Sequence, residues 1–228
     1  MTRTLYELEN VESPFAWRSK YALAHKGLDY TSRRTAFTDI PDICDGRHKS
    51  VPVLVDEDGT ETCDSLAIAH YLDKTYPDQA PLFANGSTAR TEEIEGLLGA
   101  HGFKAFFPLY IHDIWAGLPE KDAVYFRKSR EERFGATLAE LSANREERLA
   151  ASREGLAPLR DSLGDSQWFS GDAPAYPDYV TLAFFAWLKG CAKTPPLAAD
   201  DPLVDYINRG FALYGGIGEA VKGGPIAA

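Results

Sequence analysis

The chain has 228 residues, with 24 Lys plus Arg against 34 Asp plus Glu and a formal net charge of −10. That balance argues against a nucleic-acid binder, which must neutralise phosphates with clustered cations, and against a polybasic membrane surface. A hydrophobic content of 44% excludes disorder, and the longest nearly apolar run, Tyr179 to Leu188, is too short to span a bilayer.

Thr4-Leu5-Tyr6-Glu7-Leu8 reads as a strand that begins almost at once, so no signal peptide is expected. Ser13-Pro14 opens a helix, Ser being a preferred N-cap and Pro favoured at the first helical position. Trp17, Tyr21, Ala24 and Leu28 share one helical stripe, and Gly27 is the stop. Tyr30 to Arg34 is a second extended stretch, followed by a polar, turn-rich segment with Pro41, Asp42 and Gly46. Val51-Pro52-Val53-Leu54-Val55 is a buried-strand run, Asp56-Glu57-Asp58-Gly59 a hairpin turn, and Glu61-Thr62-Cys63 the antiparallel return. Asp64-Ser65 caps a helix carrying Ile68, Leu72 and Tyr76, which ends before Pro77. The order βαβ then ββα predicts a small α/β domain over residues 1–83, a mixed sheet with helices packed on it. Residues 88–116, 120–163 and 178–190 then show helical spacing with charged outer faces, and no strand follows. An all-α domain over residues 84–228 is predicted, with linkers near 117–119 and 164–177.

Three cysteines, Cys44, Cys63 and Cys191, are odd in number and widely spaced. They argue against a disulfide scaffold and for a reducing, cytoplasmic location; no CxxC is present. The five histidines show no ligand spacing, so no metal is expected. Candidate chemistry sits at three junctions. Ser13 caps the first helix, where amide donors and the helix dipole favour an anion. Val51-Pro52 puts a proline inside an apolar strand, and such a bond can be cis. Asp64-Ser65 lies at another strand-to-helix junction. Each has an ordinary structural explanation as a cap or strand start; their joint order and spacing do not.

In that order, Ser13-Pro14-Phe15, Val51-Pro52-Val53-Leu54 and Asp64-Ser65 leading into Ile68-Ala69-His70-Tyr71-Leu72 resemble the glutathione transferase family. The resemblance covers nearly the whole chain and implies a thioredoxin-like first domain, an all-α second domain and, by family habit alone, a homodimer. It implies that Ser13 is the catalytic hydroxyl and that Val51 and a cis-Pro52 hold the cysteinyl backbone of glutathione. Asp64 and Ser65 would hold the γ-glutamyl end, and the glycine carboxylate would meet the run Arg47-His48-Lys49, Lys49 foremost, with Arg18 a further cation. Ser13-Pro14-Phe15-Ala16-Trp17-Arg18-Ser19-Lys20-Tyr21, Lys193-Thr194-Pro195-Pro196-Leu197 and Arg209-Gly210-Phe211 look more narrowly like the bacterial β-aryl-etherase branch and its fungal relatives. The family's usual hydroxyl cap in the second domain is replaced by Ala175, while Asp178 remains.

Serine-type activation is sufficient in magnitude. Lowering a thiol pKa by about two units needs roughly 2.7 kcal/mol. A charge-assisted hydrogen bond contributes about 1.5–3 kcal/mol and a helix N-terminus roughly 0.3–1. The second substrate is expected among aromatic side chains: the chain has 12 Phe, 11 Tyr and 4 Trp. Phe15, Phe103, Phe107, Tyr110, Trp115, Phe211 and Tyr214 are the expected lining of an aryl pocket, with a kink at Pro108 opening it. The expected activity is thiolate attack on an aromatic electrophile, with cleavage of β-aryl ethers as its sharpest form. A ligandin-like carrier of aromatic compounds is the alternative.

Overall fold

The computed structural model describes residues 2–228. Strand β1 (Thr4–Leu8) alternates side chains between faces, so Leu5 and Glu7 turn inward. Glu7 is tolerated there because Lys20 meets its carboxylate at 2.6 Å. Helix α1 (Pro14–His25) is the crossover that lets β1 pair in parallel with β2 (Thr31–Thr35). On the other side β1 pairs antiparallel with β3 (Val53–Val55), Leu5 opposite Leu54, and β3 pairs antiparallel with β4 (Glu61–Cys63). The sheet order is β2-β1-β3-β4, followed by α2 (Ser65–Thr75). Asp56, at the end of β3, fastens this unit: it accepts from Arg3 Nε at 2.9 Å and from the Tyr71 and Tyr76 hydroxyls at 2.8 and 2.7 Å.

The helices that follow are α3 (Ala89–Leu97), α4 (Lys104–Ala116), α5 (Glu120–Phe134), α6 (Leu138–Leu141), α7 (Arg145–Gly155), α8 (Ala157–Leu163), α9 (Tyr176–Cys191), α10 (Leu203–Phe211) and α11 (Leu213–Gly216). Of the leucines at helical spacing in this stretch, Leu138, Leu149, Leu156, Leu159 and Leu163 are buried and Leu141 is half-buried. That span is four helices and not one, because Gly135 terminates α5 in a left-handed conformation (φ 67°). The stretch 88–116 is also interrupted: a π-helical turn over Leu98–Phe103 joins α3 to α4. Gly102 in that turn approaches α9 so closely that a Cβ would lie 3.1 Å from Phe184 Cζ. Pro108 removes the amide that would bond to Lys104, the first residue after the π turn.

Helix α9 is buried from Tyr176 to Leu188 and packs along α1, whose residues Ala16 to Leu23 are buried on all sides as a result. Tyr21 and Tyr179 stack across this contact with ring centres 5.3 Å apart. The missing cap hydroxyl at Ala175 is offset by Asp178, which accepts from the amides of Phe169 (2.8 Å), Ser170 (3.2 Å) and Ala175 (3.2 Å). One continuous apolar core runs from Leu5 and Leu54 through Tyr21 to Phe184 and Tyr206. The architecture is the expected one, a thioredoxin-like mixed sheet followed by an all-helical part.

Candidate active site

Ser13 is the N-cap of α1 by backbone alone: its carbonyl accepts from Trp17 N at 3.0 Å, while its side chain makes no capping bond. Pro14 carries no N–H, so the free amides of this helix end are those of Phe15 and Ala16. A hydroxyl that does not cap its own helix is left at the positive end of a helix dipole. The residue is only 7% exposed, and what exposure it has is onto a groove of about 590 Å³ between the sheet and the helices.

Val51 lines the same groove, and Val51–Pro52 is a cis peptide bond. The strand starts at Val53, two residues later than its apolar run suggests. The Pro52 carbonyl accepts from Asp64 N at 3.1 Å, which brings the third junction beside the second. Asp64 adopts φ 84°, a region costly for a side chain with a Cβ. Its Oδ1 caps α2 through the amides of Leu66 (2.9 Å) and Ala67 (3.1 Å), while the residue stays exposed. Ser65, next to it, is buried.

The expected cations separate. Arg47 is spent on Glu61 (2.5 Å) and Asp45 (3.0 Å), and His48 on Glu61 (2.8 Å). These contacts hold the Glu61 carboxyl down at about 2. Lys49 is the member of the run that lines the groove, and it is exposed. Arg18, expected beside glutathione, is 5% exposed and bound to Glu95 of α3 at 2.5 Å. Its guanidinium lies 5.0 Å from the Phe15 ring centre, so it supports that ring from behind and ties α1 to α3.

Of the expected aromatic lining, Phe15, Phe103 and Phe107 are on the groove; Phe15 is 44% exposed and stacks on Phe103 at 6.4 Å. The other four are elsewhere. Tyr110 is fully buried and donates to Thr194 O. Trp115 donates to Ala123 O and carries Arg127 on its face. Phe211 packs in the core, and Tyr214 bonds to His25 and Tyr179 at the opposite end of α1. The groove instead recruits Trp187 from α9, Phe37 from the turn-rich segment, and Tyr125, Phe126 and Phe134 from α5. The spacing of Phe126, Arg130 and Phe134 on one helical face was available in the sequence, but nothing in it aimed that face at Ser13.

A second cluster lies apart from the groove. Cys44, His48 and Glu61 bring their ligand-type atoms within 4.8 Å of one another, a grouping that the sequence spacing did not suggest. Its carboxylate is already bound to Arg47, and burial with the neighbouring Glu61 charge pushes the Cys44 thiol up. Among the rival thiols, Cys191 is also driven upward by burial and is far from thiolate chemistry.

A βαβ–ββα sheet with a cis-proline junction and a helical second part meeting it at one groove is a two-part architecture of thioredoxin-like type. A family model described as glutathione S-transferase, N-terminal domain, matches residues 12–75, and one described as glutathione S-transferase, C-terminal domain, matches residues 93–196. The chain belongs to the glutathione S-transferase family. It is similar to the glutathione S-transferase-like protein ustS of Aspergillus flavus, 28% identical over 197 residues that cover 74% of this chain and 71% of that protein. Among solved structures, glutathione transferase GSTFuA3 from Phanerochaete chrysosporium is 26% identical with a TM-score of 0.75, covering 95% of this chain and 92% of that one. The glutathione S-transferase CsGST63524 of Ceriporiopsis subvermispora, solved in complex with glutathione, superposes at a TM-score of 0.80 and 24% identity, covering 97% of this chain and 99% of that one.

Proposed function

We propose that the protein activates glutathione as a thiolate through the Ser13 hydroxyl and directs it onto hydrophobic aromatic electrophiles held in the groove. The observation that supports this is a hydroxyl free of its own helix cap, at a helix N-terminus, lining the same groove as Phe15, Phe103, Phe107 and Trp187. The donor set matches the tripeptide in chemical type. A hydroxyl suits the sulfur, the backbone at Val51 the cysteinyl unit, the Asp64 carboxylate with Ser65 the γ-glutamyl ammonium end, and Lys49 the glycyl carboxylate. When bound, glutathione supplies the sulfur nucleophile. Ser13 donates to the sulfur anion and does not itself attack, so no general base is required. The groove walls exclude water and hold the aryl ring in reach. Cleavage of a β-aryl ether, with sulfur displacing a phenolate, is the substrate reading that the subfamily segments favour.

Ser13→Ala tests the assignment. The variant is expected to keep glutathione binding and to raise the apparent pKa of the bound thiol by about one to two units, read from thiolate ultraviolet absorbance. An unchanged pH–rate profile would overturn the role given to Ser13. Product analysis with glutathione and a panel of β-aryl ethers decides the narrower chemistry: released phenol supports it, and its absence with an aryl halide still turned over removes it.

A further inference from the structure

The charge of the groove opposes that of the molecule. The chain has a net charge of −10, yet the charged side chains lining the groove are all cations: Lys49, Lys104, Arg130 and Arg133. Lys49 is accounted for by the glycyl carboxylate. Arg130 and Arg133 stand one turn apart on α5, flanked on the same wall by Phe126 and Phe134. Arg130 is half-buried, its guanidinium 4.6 Å from the Phe126 ring centre and 5.7 Å from that of Phe37. Its side chain donates to Ser129 Oγ at 2.9 Å, an uncharged acceptor. Arg133 lies 5.7 Å from the Phe134 ring centre. Among the described residues neither arginine has a carboxylate within salt-bridge distance.

Of the acids on α5, Glu132 lies between the two arginines in sequence but is exposed and outside the groove lining, and two others are committed elsewhere. Asp122 accepts from the amides of Phe37 and Thr38 at 3.2 Å each, and Glu131 accepts from Leu138 N at 3.1 Å and faces Arg127. Burial and the neighbouring Arg133 charge together pull Arg130 below the ordinary arginine range. Like charges at this spacing destabilise a helix, and half-burying one of them without a counter-ion adds to the cost. Glu131 and Glu132 lie between the two arginines in sequence, yet no carboxylate is among the residues that line the groove.

We propose that Arg130 and Arg133 form an anion subsite of the acceptor groove, and that the second substrate is an aromatic compound bearing a carboxylate. The guanidinium fork donates to a carboxylate in bidentate fashion, while the adjoining Phe126 and Phe134 rings meet the apolar remainder of the ligand. This rests on the groove being the acceptor site, as proposed above.

Two arms test it. In the first, calorimetry with the whole protein compares naphthoate with methyl naphthoate, a pair of equal ring size that needs no turnover. Tighter binding of the carboxylate is expected, with a preference that weakens as salt is raised. Arg133→Gln, at an exposed position, should cut that preference about fivefold. Arg130 packs on two rings, so Arg130→Lys is used to keep the charge and lose the fork; it should retain part of the preference. In the second arm, turnover of chlorodinitrobenzoate and its methyl ester with glutathione is compared in the same variants, and the carboxylate-to-ester ratio of kcat/KM should fall with the binding preference. Equal weakening of both ligands, or a preference unchanged in Arg133→Gln, overturns the subsite. Loss of turnover for both substrates counts against the transferase reading, and the binding arm still decides the subsite.

Discussion

Asp64 shows how much one side chain is asked to do. It sits at φ 84°, held there by its own amide bonding to Pro52 O and by Oδ1 capping two amides of α2. The cap alone is worth about 1 kcal/mol, comparable to the backbone strain it offsets. Because capping needs an acceptor oxygen and ammonium recognition needs a charge, the two duties separate by substitution. Asp64→Asn keeps the acceptor, so stability should stay within about 0.5 kcal/mol while KM for glutathione rises roughly tenfold. Asp64→Ala should lose a further ~1 kcal/mol in thermal unfolding. An Asn variant with unaltered KM would show that the carboxylate charge is not used. Ser13 divides in the opposite way: its carbonyl serves the helix and its hydroxyl does not, so Ser13→Ala should leave stability nearly untouched.

At the level of elements, the groove is a meeting of parts that share no sequence neighbourhood. The turn-rich segment Phe37–Gly46 supplies one wall, and it is fixed to α5 by Asp122, which is 1% exposed and also accepts from Thr38 Oγ at 3.1 Å. Replacing Asp122 by Ala would leave the buried Phe37 amide unpaired, at about 1–3 kcal/mol. The expected outcome is a lower melting temperature with faster hydrogen exchange over residues 37–46, and a raised KM for the aryl acceptor with KM for glutathione retained. Equal change in both KM values would show that the segment supports the sheet side instead. The π turn acts similarly on the opposite wall, since it carries Phe103 as its last residue and sets the rotation at which Phe107 of α4 faces the groove.

Across the whole molecule, the sheet and helical parts are joined chiefly along α1 and α9, and His25 sits at the end of that seam. Its Nδ1 meets the Tyr179 hydroxyl at 2.6 Å and the Tyr214 hydroxyl at 3.1 Å, and its Nε2 meets Ala80 O at 3.1 Å. This pattern suits the neutral ring, with Nε2–H donating to the carbonyl and Nδ1 accepting from a tyrosine. Burial lowers its pKa below the usual 6.5, with Lys26 adding to the effect and Asp73 opposing it. The unfolded chain therefore binds the proton more readily. Stability is full above the unfolded value and declines as pH falls below about 6.5, until the folded-state pKa is passed. Urea unfolding between pH 7.5 and 5 should show this loss in the wild type and a flatter profile in His25→Gln; parallel profiles would remove His25 as its source.

Much of this was legible along the chain. The strand and helix order of the first part, its three junctions and the helical character of the second follow from periodicity, caps and turn residues, which act over a few neighbours. The family follows from those junctions in their order. Which aromatic residues face the groove did not follow, because Phe103, Phe107 and Tyr110 share one helical pattern and only the tertiary contacts of Tyr110 with Arg145 and Thr194 make it core. Trp187 and the Arg130–Arg133 pair were hidden for the same reason. Composition fixed a net charge of −10, a sum over the chain, whereas the cationic groove is a local arrangement made where α5 packs against the Phe37–Gly46 segment and α4, and only the tertiary structure decides where charge is left unpaired.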